Sequence, residues 1–269
     1  MILSHSILKV KREFLRLARD VHTDHWQGVN IKTRPEAGMK EQLFVTIRAD
    51  LEGQESLDYH REQVQPNLPW ADDHFLERVS GQPLNPGEQW AKWPWGNSAD
   101  KFRYPDGRFN HNYMERYWPK YANDTSDGVV TDEDKRGLNP RLGIRFQAGD
   151  LDDMIAMLAN DPLTRQAYLP VWFPEDTGQP QNGRKPCTLG YHFIMRAGRL
   201  HCVYYIRSCD LYRHFADDVY LTIRLQLWVL AHCRQLNPLK WEEVLPGDFI
   251  MHISSLHCFI NDWRLMGGK

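Results

Sequence analysis

The side chains best suited to do chemistry lie in short runs that keep a fixed order along this sequence. Cys187 stands in RKPCTLGYHF, and twenty residues on YYIRSCD carries Arg207, Ser208 and Asp210. FADDVYLTIRLQLWVL then puts Asp217 and Asp218 at the start of an apolar helix, and GDFIMHISSLHCF adds His257. A cysteine beside a strand is more often a small core residue than a nucleophile. Its company shifts that balance here, because a thiol attacks as thiolate and nearby arginines promote that form. Carboxylates and a histidine in the same neighbourhood supply the acid–base groups such a centre needs.

Two upstream runs join the set. NHNYMERYW holds Tyr113, and LERVSG holds Glu77, 36 residues before it. Taken with PLTRQ around Arg165, these runs resemble the thymidylate synthase and deoxycytidylate hydroxymethylase superfamily. Its pattern is a cysteine after a proline, a strand pair, Arg-Ser-x-Asp, a phenylalanine-containing turn with Asn or Asp at a helix start, and Gly-Asp/Glu-Phe leading to His-x-Tyr. The match runs in order and rough spacing over residues 161–261, and SSLHCF is closer to the hydroxymethylase version than to the synthase one.

The resemblance implies an α+β, thymidylate synthase-like fold: a large mixed β-sheet flanked by helices, with a sheet face used for dimerisation. It implies a homodimer acting on a pyrimidine nucleoside monophosphate, with 5,10-methylenetetrahydrofolate as cofactor. Cys187 would add to carbon 6 of the ring, which turns carbon 5 into a nucleophile. Tyr113 would sit by the cysteine, and Glu77 would relay the carbon 5 proton from an enclosed pocket that keeps it partly protonated. Arg207 and Ser208 would hold the phosphate, where guanidinium forks bind oxygens bidentately. Arg165 matches an arginine contributed across the dimer interface; the second arginine of that pair is here Gln166. Lys32 or Arg34, in NIKTRP, would supply an early phosphate contact. His257 would bind the sugar, with Phe259 where the family has a tyrosine hydroxyl. Asp210 and Trp90 would meet the folate.

Asp218 matches the position that reads the ring's N3 and 4-substituent. An ionised carboxylate only accepts hydrogen bonds, so it would oppose uracil O4 and welcome the cytosine amino group and a protonated N3. That points to dCMP and to a dCMP 5-hydroxymethylase. Asp217 stands one residue away and either acid can cap the helix; alignment on Phe215 and on the helix favours Asp218. A dCMP or dUMP methyltransferase of thymidylate synthase type is the nearest alternative. A non-catalytic nucleotide-binding protein of the same fold is the other. It draws support from the end of the chain at Lys269, 12 residues after His257, and from Tyr212–Arg213–His214 in place of a family glycine. Both departures touch the folate side. The joint presence of Cys187, Arg207 and Asp218 argues against it.

These groups need elements to position them. Hydrophobic residues at 42% and charged residues at 25% of 269 are those of an ordinary globular chain, read as a single domain over 1–269. A net charge of −2 gives no broad attraction to nucleic acid or to anionic membranes. No apolar run is long enough for a membrane span, and the start lacks a secretory pattern, so the cytoplasm is expected. Five cysteines without CxxC or metal-ligand spacing imply reduced thiols and no metal. The pattern predicts helices over 3–24, 150–160 and 218–236. Strands are predicted over 42–47, 167–173, 190–195, 200–206 and 248–253. Residues 66–118, rich in Pro, Gly, Asn and Trp, read as ordered loop packed by aromatics, and 123–139 as an acidic loop insertion.

Overall fold

A strand with one covered face alternates in burial with period two, and the long strands of this chain do so along most of their length. The structure, a computed structural model, describes residues 3–21, 25, 26, 29, 30, 32–95, 100, 103–109, 111–120, 149–177 and 185–268. It contains α1 (Leu3–Leu17), β1 (Arg19–Asp20), a small ladder of β2 (His25–Trp26) with β3 (Val29–Asn30), and β4 (Met39–Asp50). Next come α2 (Leu57–Val64), α3 (Trp70–Arg78), α4 (Tyr113–Tyr117), α5 (Leu151–Asn160) and β5 (Tyr168–Pro170). The C-terminal part is β6 (Thr188–Arg196), β7 (Arg199–Asp210), α6 (Phe215–Leu236), α7 (Pro238–Trp241), β8 (Leu245–Phe259) and α8 (Ile260–Leu265). Six strands form one sheet in the order β1-β4-β8-β7-β6-β5. Neighbours are antiparallel except β7 and β8, whose parallel pairing makes the sheet mixed.

One face of this sheet is covered by helices. In β7, Leu200, Cys202, Tyr204 and Ile206 are buried, whereas His201, Val203 and Tyr205 between them keep partial exposure. α6 is buried nearly all round from Val219 to Gln226, so its polar side chains there need partners. Its fully buried Gln226 donates to the Leu200 carbonyl at 2.8 Å, which pins helix to sheet. α1 adds Ile7, Val10 and Phe14 to the same core. Gly190 is required where β5 meets β6: a Cβ there would stand 2.3 Å from the Tyr168 hydroxyl and 2.7 Å from the Leu169 carbonyl.

The α+β class and the mixed sheet flanked by helices agree with expectation; the extents of the elements do not. β4 runs 12 residues and β8 runs 15, against six expected for each. Ladder hydrogen bonds form between backbones, so pairing continues past the apolar alternation that marks a strand in sequence. β5 shrinks to three residues, α1 ends at Leu17 where β1 begins, and α6 starts at Phe215. The larger correction concerns 66–118, which is not all loop, since α3 and α4 lie inside it. α3 (WADDHFLER) opens on Asp72 and Asp73 and closes on Arg78, charges that suit a helix dipole, but the surrounding prolines and tryptophans hide that signal. α5 is capped by Asp150 as expected, with Asp153 accepting from the Asp150 amide at 3.1 Å. The insertion expected over 123–139 lies outside the described residues. Among the described residues no helix is long and apolar enough to cross a membrane.

A half-buried ionic knot ties the helices that frame the site. Asp72 on α3 takes Arg224 and the Tyr220 hydroxyl (2.7 Å) of α6, and Arg61 of α2 at 2.7 Å. Asp72→Ala leaves the buried Arg224 guanidinium without its anion, while Arg61 keeps Asp58, and should lower folding stability by about 2 kcal/mol. Urea denaturation measures it; a loss under about 1 kcal/mol would mean that water replaces the carboxylate.

Candidate active site

Cys187 is exposed at the mouth of β6, while the other four cysteines are buried. Its position comes from β7: the Arg207 amide donates to the Cys187 carbonyl at 2.9 Å. The Arg207 side chain reinforces this, donating Nε–H to the Pro186 carbonyl at 2.8 Å and an Nη2 proton to that of Lys185 at 3.2 Å. A guanidinium has five N–H donors, so Arg207 can hold the cysteine segment and still bind an anion. Ser208 follows on β7, opposite Ser255 of β8.

Behind the thiol, Thr188 donates to the Tyr113 hydroxyl at 3.1 Å and hydrogen-bonds Tyr204 at 2.8 Å. The Tyr113 phenol is pushed up to about 12, first by burial and then by Cys187 and Asp218, against the pull of Arg78. Cys187, Tyr113 and Asp218 are thus brought together. The two acids at the start of α6 have different surroundings. Asp217 is buried and accepts from the backbone amide and the side-chain amide of Asn67, both at 2.8 Å. Asp218 meets the Cys209 thiol at 3.6 Å. Desolvation raises its carboxyl to about 7, with Arg78 opposing the rise and Asp217 adding to it.

Glu77 departs from expectation. Its carboxylate accepts from His74 Nδ1 at 3.2 Å and from the Gln89 amide at 3.1 Å. Burial alone would raise its pKa, but these hydrogen bonds outweigh that and hold it below the ordinary glutamate value. It is therefore ionised, not partly protonated. Gly87 makes the seat, since a Cβ there would stand 2.1 Å from the Glu77 carboxyl carbon.

On the far side, Asp210 and His257 are partners across β7 and β8. Burial raises the Asp210 carboxyl and lowers the His257 imidazole, and each charge counters the other's shift. Asp210 also accepts from the amides of Tyr212 (2.9 Å) and Arg213 (3.0 Å), so it shapes the turn into α6. Trp90 packs edge-on to Phe109 (4.7 Å between centroids) and beside Trp93 (5.7 Å), which leans on His214 at 4.5 Å. A flat heterocycle would find aromatic faces here, so Trp90 and Trp93 fit the pterin of a folate, and Asp210 stands at the start of the turn that carries His214. Arg213 fills the space beside them, 4.9 Å over Trp95 and 4.7 Å over Phe259. Arg165 is exposed ahead of β5, its carbonyl hydrogen-bonded to His192 Nε2 at 3.0 Å. Lys32 and Arg34 are both exposed before β4.

The thymidylate synthase family model matches residues 86–265, two thirds of the chain, including the cysteine segment and β7, α6 and β8. This chain belongs to the thymidylate synthase family. Thymidylate synthase of Rhodopseudomonas palustris (strain BisA53) is 26% identical over 110 residues, 40% of this chain and 33% of that protein. That of equine herpesvirus 2 (strain 86/87) is 29% identical over 125 residues, 46% and 39% of the two chains. The matched part thus spans between a third and two fifths of these relatives' lengths. The fold extends further: thermostable thymidylate synthase A from Bacillus subtilis superposes with a TM-score of 0.63 at 14% identity, covering 98% of this chain and 83% of that one.

Within this thymidylate synthase family member, sequence reasoning missed Arg78 and His74. Arg78 is buried, lies 4.3 Å over the Tyr113 ring, and donates Nε–H to His74 Nε2 at 2.9 Å. The available signal was their i,i+4 spacing on a helix next to Glu77. The raised Asp218 carboxyl has a thermodynamic consequence. Between its ordinary 3.8 and about 7, the folded chain holds a proton that the unfolded chain has released. Stability therefore falls as pH rises through that window, and the full penalty applies above it. Asp218→Asn should raise Tm at pH 8 relative to wild type by more than at pH 4. A difference independent of pH would show that this carboxyl is not perturbed.

Proposed function

We propose that this chain is a pyrimidine nucleotide C5-modifying one-carbon transferase, of dCMP 5-hydroxymethylase type, acting as a cytoplasmic homodimer. The observation that carries the reading is the placement of the Asp218 carboxyl beside Tyr113 and the Cys187 segment, while Asp217 is tied to Asn67. Cys187 adds to carbon 6 of the ring and makes carbon 5 nucleophilic. Asp218 accepts from the cytosine amino group and shares one proton with N3, which draws electrons from the ring as the thiolate adds. Arg207 and Ser208 take the phosphate, with Arg165 of a second copy and Lys32 or Arg34 completing it. His257 meets the sugar. Trp90 and Asp210 would hold 5,10-methylenetetrahydrofolate, which would supply the one-carbon unit. Loss of the carbon 5 proton, addition of water to the exocyclic methylene to supply the hydroxyl, and release of Cys187 would follow. Glu77, already ionised, is suited to accept that proton rather than to give one.

A thymidylate synthase-type methyltransferase is the second reading, supported by the names of the relatives above. Incubation with dCMP or dUMP and methylenetetrahydrofolate separates the two. Hydroxymethylation leaves tetrahydrofolate, whereas methylation with folate as hydride donor leaves dihydrofolate. Dihydrofolate formed in step with product would replace the first reading by the second. Cys187→Ser is expected to abolish turnover in either case while nucleotide binding persists.

Base choice follows from Asp218. Above its midpoint of about 7 the Asp218 carboxylate is an acceptor only, and facing uracil O4 it leaves a buried unpaired contact costing on the order of 1–3 kcal/mol. At pH 8 dCMP should therefore be preferred by roughly one to two orders of magnitude in kcat/KM, with the margin narrowing below pH 7, where the protonated carboxyl can donate to O4. Asp218→Asn should shift use towards dUMP, and Asp217→Asn should not. A wild-type preference for dUMP would remove the cytosine assignment. Sedimentation should give a dimer at micromolar concentration; a fully active monomer would exclude the shared phosphate pocket.

A further inference from the structure

A buried guanidinium ordinarily lies against a carboxylate, because an uncompensated buried charge is costly. Arg78 does not. It is 7% exposed, and its contacts are the face of Tyr113, His74 Nε2 and the Tyr117 hydroxyl, with no described carboxylate at ion-pair distance. What holds it is a bracket built on α3. Arginine can only donate, so His74 Nε2 must accept, and the imidazole is neutral with its proton on Nδ1, facing Glu77 Oε2 at 3.2 Å. Trp70 stacks on the His74 ring at 4.8 Å and donates Nε1–H to the Gln89 carbonyl at 2.9 Å. The Gln89 amide in turn holds Glu77 Oε1 at 3.1 Å. The ionised Glu77 thus fixes a tautomer, the tautomer fixes the guanidinium, and the guanidinium points at the pocket.

We propose that Arg78 is a second fixed cation of this pocket, beside Arg207 on the cysteine segment, and a positioning residue that tunes the ionisation of Cys187, with Glu77 and His74 as its bracket. The groups facing it are the hydroxyls of Tyr113 and Tyr117 from α4 and of Tyr191 from β6, and the carboxyls of Asp218 and Asp217 from α6. From β7, Cys209 senses Cys187 and Asp218. In a pocket whose described carboxyl groups are Asp218, Asp217 and Asp210, with the ionised Glu77 behind Arg78, forming a thiolate adds further negative charge. A cation with no described carboxylate in contact is what makes that tolerable, and Arg78 is placed to act through Tyr113, whose ring it covers and whose hydroxyl meets the residue next to Cys187.

The proposal rests on Cys187 being the thiol of the proposed reaction, but its test needs no turnover. Cys187 is the exposed cysteine, so iodoacetamide alkylation against pH reads its ionisation on the intact protein. Arg78→Gln should move the midpoint up by about one pH unit, slowing alkylation about tenfold at neutral pH, and Arg78→Lys should largely restore it. A folded Arg78→Gln with an unchanged midpoint overturns the proposal. Should that variant fail to fold, Glu77→Gln asks the same question with opposite sign. The amide oxygen still accepts from His74 at the cost of the Gln89 hydrogen bond, and the negative charge behind Arg78 is gone, so the midpoint should fall by a few tenths of a unit; no movement overturns the proposal. Protection of Cys187 by dCMP or dUMP in the same assay tests the nucleotide reading separately. A shift without protection keeps the cation and removes the pyrimidine, and protection without a shift does the reverse.

Discussion

The hydrogen bond from the Arg207 amide to the Cys187 carbonyl is the contact on which the site depends. It joins the cysteine segment to β7 just beyond the Thr188–Ile206 pair, next to a register shift between Thr188 and Gly190. A slip of one residue would send Thr188 away from Tyr113 and Tyr204, because strand side chains alternate faces. The same stretch of β7 pairs parallel with β8 and sets Ser208 beside Ser255 and Asp210 beside His257. Three strands thereby place thiol, hydroxyl, carboxyl and imidazole at one end of the sheet.

Helix α6 enters at that same end, and its first turn is held from two sides. Asn67 saturates Asp217, while Asp210 receives the turn amides of Tyr212 and Arg213. Asp218 is left aimed between Cys209 and Tyr113. Two adjacent carboxylates of identical type are thus separated by hydrogen bonding: one has two amide donors at 2.8 Å and the other has a weak thiol donor and a cation at a distance. That difference, with burial, leaves Asp218 titrating near neutrality.

The aromatic lobe formed around α3 and α4 closes the arrangement. Asn85 reaches both the Phe109 backbone and the Glu115 carboxylate, and the buried Glu115 is raised to about 7 mainly by desolvation. Trp118 donates to the Arg78 carbonyl at 2.8 Å, so the turn that ends α3 is anchored to the end of α4. The tryptophans therefore serve as walls and props for ionic groups as much as packing volume.

The sequence by itself determined the class of fold, the existence of the central strands and of α6, and the family through the order of short motifs around Cys187, Arg207, Asp218 and His257. Those features are local or periodic: a two-residue alternation, an apolar helix, a proline before a cysteine. Strand ends escaped it, because backbone ladders extend β4 and β8 past the alternation. α3 was hidden because its helical charges sit among prolines and tryptophans. The ionisation of Glu77 was misread, because it depends on His74 and on the amide of Gln89 twelve residues later. Alignment on Phe215 favoured Asp218 over Asp217, but only the tertiary structure showed their different partners, with Asp217 held by an asparagine 150 residues upstream, and only it showed Arg78 over Tyr113. Charges report on their neighbours in space, and the neighbours that matter here come from α3, α4, β6 and α6, elements that the chain brings together only by folding.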